Sequence, residues 1–296
     1  MMQYMQVPSA VEYERATSVE HALSLLSRPE TRVLAGGHSL IPMMKLRLAQ
    51  PEVLVDINGL AELAYIRLDG DQLRIGALAR HADLLDSAVA GQCFPIFGDA
   101  ERVVADPIVR LWGTVGGSLC QADPSEDLSA AFAATRAVAV IRGSGGERTI
   151  PVREFHLGPY ETAVGPGELL AEVRVPVRPG TGSAYEKVAR RVGDWSVAAV
   201  GAVLQLSGDP AHPVITAAGI GLTAVGAEHF VAAEAEEYLH GRVADEESFA
   251  AAAAIAAEHC HPPADQRGPE DYKRHLVAEL TTRALRRAAL RVTLEA

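Results

Sequence analysis

Two glycine-rich stretches carry the strongest chemical signal in this sequence. Gly36-Gly37-His38-Ser39 follows an apolar run at 33–35, and Gly113-Thr114-Val115-Gly116-Gly117-Ser118 lies further along the chain. Paired glycines beside hydroxyl residues allow close approach to the backbone, and they let successive N–H groups point at one anion such as a phosphate. Two such stretches suit a pyrophosphate better than one does. The alternative is that each glycine pair only makes a tight turn.

Neither stretch fits the common phosphate-binding motifs. The first is not a G-x-G-x-x-G fingerprint and is soon followed by Pro42, and the sequence contains no G-K-[ST] triplet of a Walker A loop. Acidic residues at 123, 126 and 127 follow the second stretch. Their carboxylates could accept hydrogen bonds from the hydroxyl groups of a ribose, or Asp123-Pro124 could simply begin a helix. The pattern therefore predicts a phosphate-containing ligand but neither a Rossmann fold nor a P-loop.

Composition argues against several classes of function. The chain has 296 residues, enough for two domains, and its net charge of -11 argues against nucleic acid or an anionic membrane as main partner. Its three cysteines lack C-x-x-C spacing, which argues against zinc or iron–sulfur ligation by this chain and against a disulfide scaffold. No apolar run reaches the roughly 20 residues of a spanning helix, and the start lacks a signal-peptide pattern. These features predict a cytoplasmic protein without a membrane span.

Hydrophobic periodicity predicts the elements that position the glycine stretches. Thr17-Ser18-Val19-Glu20 is typical of a capping box with Thr17 as the cap, and short strands at 31–35 and 52–57 flank the first stretch. A composition change near 177–182 predicts a domain boundary. Beyond it the pattern predicts three strands and three amphipathic helices, at 184–190, 196–206, 214–225, 230–240, 246–259 and 269–290.

Val33–Lys45 closely resembles the first flavin-binding stretch of the FAD-binding medium subunits of molybdenum hydroxylases, the carbon monoxide dehydrogenase and xanthine dehydrogenase family. Residues 110–124 look like the second stretch. The start, PSAVEYERATSVEHALSLL, and the segment ADQRG before Tyr272-Lys273 are also similar to this family, so the resemblance covers the whole chain. It implies an α+β fold, with a PCMH-type FAD-binding domain over 1–177 (subdomains of about 1–57 and 58–177) and a smaller α+β C-terminal domain over 183–292.

The resemblance also implies which residues contact FAD, by position. They are Leu34, Ala35, Gly36, Gly37, His38, Ser39 and Leu40 at the pyrophosphate, Thr114, Gly117, Ser118 and Cys120 completing that cradle, Asp127 near the sugar or ribityl part, Leu170 and Lys187 along the flavin, and Trp195 in a loop over the isoalloxazine. It implies no catalytic acid, base or nucleophile and no metal ligand. Two departures, Leu111-Trp112 and Gln121, leave the contacts at the far edge of the flavin open.

Some of these residues have a plainer interpretation. His38 could act as an acid–base group, but a binding role is favoured because the sequence identifies no partner for it. Lys187 could stabilise negative charge on reduced flavin, or it could be a solvated strand lysine. His259-Cys260-His261 lacks a fourth ligand and favours a helix end over a metal site. The basic run Arg283–Arg291 favours a solvated helix face.

The implied function is electron transfer by bound FAD. The resemblance implies a small partner subunit with two [2Fe-2S] clusters and a large partner subunit with the molybdenum cofactor. Electrons would pass from these to FAD in this chain and on to an external acceptor such as NAD, a quinone or oxygen. Two alternatives stay open from the sequence: a stand-alone FAD-dependent oxidoreductase acting directly on a small molecule, and a nucleotide-binding scaffold without flavin.

Overall fold

The computed structural model describes residues 7–292, whose strands form three main sheets in chain order. The first sheet is parallel. It contains β1 (Glu12–Arg15), β2 (Thr31–Leu34) and β3 (Val53–Asp56) in the order β1-β3-β2, with helices α1 (Val19–Leu26) and α2 (Leu40–Lys45) in the connections. Leu34 lies opposite Asp56 in the register. The segments that follow β2 and β3 therefore leave from the same edge of the sheet.

The second sheet is antiparallel and has its longest strand at the centre. It contains β4 (Ile66–Asp69), β5 (Gln72–Gly76), β6 (Val138–Gly143), β7 (Gly146–Pro151) and β10 (Leu169–Pro176), in the order β4-β5-β10-β6-β7. Between β5 and β6 run α3 (His81–Asp86), α4 (Ala88–Cys93), α5 (Pro95–Val103), α6 (Pro107–Trp112), α7 (Val115–Gln121) and α8 (Asp127–Ala134). The short elements α9 (Val152–Phe155), β8 (His156–Gly158) and β9 (Glu161–Thr162) precede β10. The second glycine stretch therefore begins α7.

The third sheet is antiparallel and is covered on both faces. It contains β11 (Thr181–Ala189), β12 (Ser196–Ser207) and β13 (Val214–Thr223), followed by α10 (Ala233–Leu239), α11 (Glu246–His259) and α12 (Glu270–Leu290). Helix α8 packs so closely on β13 that a Cβ atom at Gly219 would lie 1.9 Å from the Ala134 carbonyl oxygen, and one at Gly221 2.0 Å from that of Ala130. Glycine is needed at both positions because of this contact.

Three apolar clusters hold these layers together. One surrounds Phe97 and Phe132 between the second sheet and its helices, one lies between the third sheet and the last three helices, and a small one lies beneath the first sheet. The mixed α+β architecture expected from the sequence is confirmed. Within residues 7–292, no helix is both long enough and apolar enough to cross a membrane.

Three local expectations differ from the structure. Ser18 rather than Thr17 caps α1, because the Ser18 hydroxyl accepts the His21 N–H. Helix α8 begins after Glu126, whose carboxylate accepts two helix N–H groups, whereas Asp123 accepts the Ser125 N–H in a turn and the Tyr160 hydroxyl. The basic run of α12 is not simply solvated. There Arg287 and Arg291 bind the buried Asp99 carboxylate of α5 at 2.9 and 2.5 Å.

Candidate functional site

The first glycine loop joins β2, which Leu34 ends, to α2, which Leu40 begins. The Asn58 amide, which follows β3, donates to the Ala35 carbonyl oxygen and so ties the start of the loop to the neighbouring strand end. Gly37 has a φ of 76°, a left-handed conformation that favours glycine. The His38 ring lies against its own loop, with Nδ1 3.0 Å from the Gly36 carbonyl oxygen. His38 therefore supports the loop and has no acid–base partner there.

The backbone N–H groups of residues 36–40 carry the chemistry of this loop. None of them finds an acceptor within residues 7–292, and apart from Ser39 these residues are half-buried. A partly buried N–H group without an acceptor costs free energy, so a row of them indicates a missing partner. Successive N–H groups around a left-handed glycine form a concavity suited to an anion. The loop fits one end of a pyrophosphate.

The second glycine stretch uses its N–H groups within the protein. Val115 and Gly116 N–H donate to the carbonyl oxygens of Ala79 and Ala77, each at 2.9 Å, so the start of α7 is bound to the segment that follows β5. Gly117 N–H donates to the Thr114 hydroxyl, which caps α7 at 3.0 Å. The sequence predicts two comparable N–H cradles, but within residues 7–292 the second stretch leaves only the Thr114 N–H without an acceptor. The Thr114 hydroxyl proton remains as a possible donor, whereas the Ser118 hydroxyl already donates to Glu126 at 2.8 Å.

The two glycine stretches touch each other. A Cβ atom at Gly36 would lie 2.1 Å from the Trp112 carbonyl oxygen and 2.8 Å from Gly113 Cα. Gly113 is in turn backed by His81, whose Nδ1 lies 3.0 Å from both oxygens of the buried Glu101. Gly36 therefore lacks a side chain because the second stretch occupies that space. The two loops form one unit, and the unused N–H groups lie beside their contact.

Asp127 and Lys187, both predicted to contact FAD, bind each other. Lys187 Nζ lies 2.7 Å from Asp127 Oδ2, and their side chains are only 4% and 6% exposed. The other Asp127 oxygen accepts hydrogen bonds from the hydroxyls of Tyr185 and Ser196, each at 2.9 Å. The interpretation of Lys187 as a solvated lysine is wrong. This pair joins α8 to the third sheet, and its contact with FAD stays a prediction.

The remaining predicted contacts lie in different surroundings. Leu170 is 2% exposed and belongs to the core of the second sheet, Cys120 is exposed on α7, and Trp195 is 46% exposed. The loop that carries Trp195 packs closely on the backbone of Ala105, because a Cβ atom at Gly193 would lie 2.6 Å from the Ala105 carbonyl oxygen. Their contacts with FAD also stay predictions. The helix-end interpretation of His259-Cys260-His261 fits α11, which ends at His259, and residues 7–292 contain no cluster suited to a metal ion.

Sequence reasoning missed Asn58 and Arg80, which both touch the glycine loops. Asn58 Nδ2 reaches Ala35, and the Arg80 guanidinium donates to the Trp112 carbonyl oxygen and, at 2.9 Å, to Asn58 Oδ1. A signal for Asn58 was present, because Asp56-x-Asn58 ends a strand parallel to β2, and ligands bind outside the carboxyl ends of such strands. Arg80 carries no local signal.

A buried histidine behind the second loop predicts a pH effect on stability. His156 Nε2 lies 3.1 Å from Ser129 Oγ and 3.2 Å from the Leu119 carbonyl oxygen, and burial lowers the pKa of His156 from 6.5 to about 4. Because the pKa of His156 is lower in the folded than in the unfolded chain, protonation of His156 favours unfolding. The stability that the neutral ring allows is present above pH 6.5 and is lost as pH falls towards 4, up to about 3 kcal/mol. We expect His156→Gln to lose less unfolding free energy between pH 7 and 5 than wild type does, measured by urea denaturation.

The comparison between variant and wild type is needed because a second group titrates nearby. Burial raises the pKa of Glu126 to about 7, so its contribution is present below pH 4.5 and is lost as pH rises through 7, the opposite sense. Both proteins contain Glu126, and the difference between their two slopes reports His156. Equal slopes for wild type and His156→Gln would contradict the assignment.

Two family models match the chain. Residues 9–178 match the FAD binding domain in molybdopterin dehydrogenase, and residues 183–288 match the CO dehydrogenase flavoprotein C-terminal domain. The first model agrees with the glycine loop described above, since FAD contains a pyrophosphate. Together the two models span the three sheets of the structure.

Full-length relatives agree with these models. The carbon monoxide dehydrogenase medium chain of Afipia carboxidovorans is 38% identical over 96% of this chain and 99% of that relative, and the glyceraldehyde dehydrogenase medium chain of Sulfolobus acidocaldarius is 35% identical over 95% and 99%. A solved carbon monoxide dehydrogenase chain from Hydrogenophaga pseudoflava superposes with a TM-score of 0.92 at 40% identity, covering 97% of this chain and 100% of that one. The predicted fold class and the FAD cofactor are thereby confirmed. This chain belongs to the family of FAD-binding medium subunits of molybdenum hydroxylases, the family that includes the carbon monoxide dehydrogenase medium chains.

Proposed function

We propose that this chain transfers electrons within a cytoplasmic three-subunit molybdenum hydroxylase. A small subunit with [2Fe-2S] clusters and a large subunit with the molybdenum cofactor would be its partners, and electrons would leave through FAD to an external acceptor. The proposal is supported by the full-length similarity to medium chains of such dehydrogenases. It is also supported by what residues 7–292 lack, since they hold no cluster of metal-ligating side chains and their three cysteines are free and dispersed.

The observation that carries the proposal is the row of unused N–H groups at residues 36–40. These donors would bind the FAD pyrophosphate, with Ser39 and the Thr114 hydroxyl as neighbouring donors, and the left-handed Gly37 sets their direction. Bound FAD supplies the redox chemistry, accepting electrons singly or in pairs, and the protein supplies position and electrostatics. The chain needs no nucleophile or general acid for this role. We also propose the domain limits of 1–177 and 183–292.

The decisive experiment compares the chain alone with its native complex. We expect the purified chain to retain FAD and to show no flavin bleaching with organic substrates under anaerobic conditions. We expect the complex isolated by tagging this chain to contain iron and molybdenum and to bleach with its substrate. Bleaching of the chain alone by an organic substrate would instead support the stand-alone oxidoreductase. A colourless, flavin-free chain that cannot be reconstituted with FAD would contradict both.

A further inference from the structure

Arg80 lies at the junction of the two glycine stretches. One terminal nitrogen donates to the Trp112 carbonyl oxygen, the atom against which Gly36 packs, and the other donates to Asn58 Oδ1 at 2.9 Å. Asn58 in turn donates to the Ala35 carbonyl oxygen. One arm of the guanidinium therefore ends at the backbone on which Gly36 packs, and the other reaches the first glycine loop through one amide. Arg80 itself is half-buried.

The charge of Arg80 is not neutralised by the protein. Its two acceptors are a carbonyl and an amide oxygen, and no carboxylate of residues 7–292 forms an ion pair with it. Asp56 and Asp83 are near enough to influence it, but Asp56 binds Asn58 and Tyr13, and Asp83 accepts the Arg80 backbone N–H at 3.0 Å. Burial lowers the pKa of Arg80, the effect of a desolvated cation that lacks a partner. A partly buried cation without a counter-ion costs free energy that a bound anion would offset.

The first loop has the complementary requirement. Its N–H groups are neutral donors, and none of the residues assigned to the pyrophosphate, 34–40, 114, 117 and 118, carries a permanent positive charge. A pyrophosphate diester carries two negative charges, and guanidinium–phosphate hydrogen bonds are about twice as strong as neutral ones. Arginine has five N–H donors, and the two contacts seen here leave the others available.

We propose that Arg80 supplies the positive charge that binds the FAD pyrophosphate at the contact between the two glycine loops. The inference rests on the proposed use of residues 35–39 for that pyrophosphate. It adds a binding residue that lies outside both glycine stretches, at the start of α3. Through its two hydrogen bonds Arg80 also holds the two glycine stretches at a fixed distance. The experiment must distinguish this structural role from the effect of the positive charge.

The test titrates FAD into the flavin-free full chain at about 50 mM and about 500 mM salt, because salt screens charge–charge attraction more than it affects packing. For Arg80→Met we expect an affinity about ten- to hundredfold lower at low salt and a smaller dependence on salt than in wild type. Arg80→Lys keeps the positive charge but lacks the two-armed guanidinium group, and we expect it to keep the salt dependence of wild type. Arg67→Met, at an exposed arginine on β4, removes the same charge elsewhere and should match wild type.

Two outcomes would overturn the inference. One is unchanged FAD affinity in Arg80→Met, and the other is weaker affinity with the wild-type salt dependence, the result of the structural role alone. If Arg80→Met does not fold, judged by circular dichroism, Arg80→Lys and Arg80→Gln give the same comparison. Gly37→Val separates this inference from the proposed site. Loss of FAD in Gly37→Val but not in Arg80→Met refutes only the role of Arg80, whereas FAD retention in both refutes the loop site itself.

Discussion

Gly36→Ala should leave the purified protein largely free of FAD. The new Cβ atom would lie 2.1 Å from the Trp112 carbonyl oxygen and 2.8 Å from Gly113 Cα, both backbone atoms of the second loop. Since neither can rotate away as a side chain does, the loops must separate, and overpacking of this kind costs roughly 1–3 kcal/mol. Because the unused N–H groups begin at this residue, we expect an about ten- to hundredfold weaker FAD affinity. The flavin-to-protein ratio and a titration of the flavin-free protein measure it.

The matched control for this variant is Gly145→Ala. Gly145 lies in the turn between β6 and β7, where a Cβ atom would meet no other atom within 4 Å. We expect wild-type flavin content there. If Gly36→Ala also kept its FAD with wild-type affinity, the tight contact between the two loops would not determine the geometry of the cofactor site.

Asp127→Ala should have the largest effect on folding stability. It would leave Lys187 Nζ, on a side chain only 4% exposed, without its carboxylate, and it would remove the acceptor of the Tyr185 and Ser196 hydroxyls. Removing one partner of a buried pair costs about 3–5 kcal/mol, mostly because the other charge stays buried. We expect a loss of this size in the urea-derived unfolding free energy, and a similar loss in Lys187→Met.

A double variant separates folding from cofactor binding. Asp127→Ala with Lys187→Met removes both charges, and we expect it to lose less unfolding free energy than the two single changes added together, because neither charge is left buried alone. FAD titration of this double variant then tests the predicted contacts of both residues with the cofactor. Additive losses in the double variant would show that the two side chains are not coupled in solution.

The glycine stretches were predictable because they are local in sequence. A strand, paired glycines and hydroxyl residues within a few positions indicate a phosphate loop without knowledge of the tertiary fold. The order of strands and helices after residue 177 was predictable for the same reason, since alternating strands and amphipathic helices each have their own period. FAD itself came from the resemblance and not from these periodicities.

What the sequence could not show depends on contacts between distant segments. Gly36 meets Trp112 only after the loop that follows β2 and the end of α6 are brought together, and nothing near either residue indicates this contact. A solvated Lys187 stayed one of two open interpretations because its partner, Asp127, lies on a different element. The choice between Thr17 and Ser18 as helix cap depended on which hydroxyl accepts an N–H group of the first turn, and only the structure shows that it is Ser18.

The Asp99 contact has a consequence for how the chain folds during synthesis. Asp99 is 8% exposed, and it is bound by Arg287 and Arg291 near the end of the last helix. Arg291 is synthesised 192 residues after Asp99. Until then Asp99 has no partner from α12, and α5 is joined to the third sheet only by direct contacts such as the hydrogen bond from the Tyr185 N–H to Asp99. We therefore expect the contact between α5 and α12, and the stability that depends on it, to form only after α12 has been synthesised.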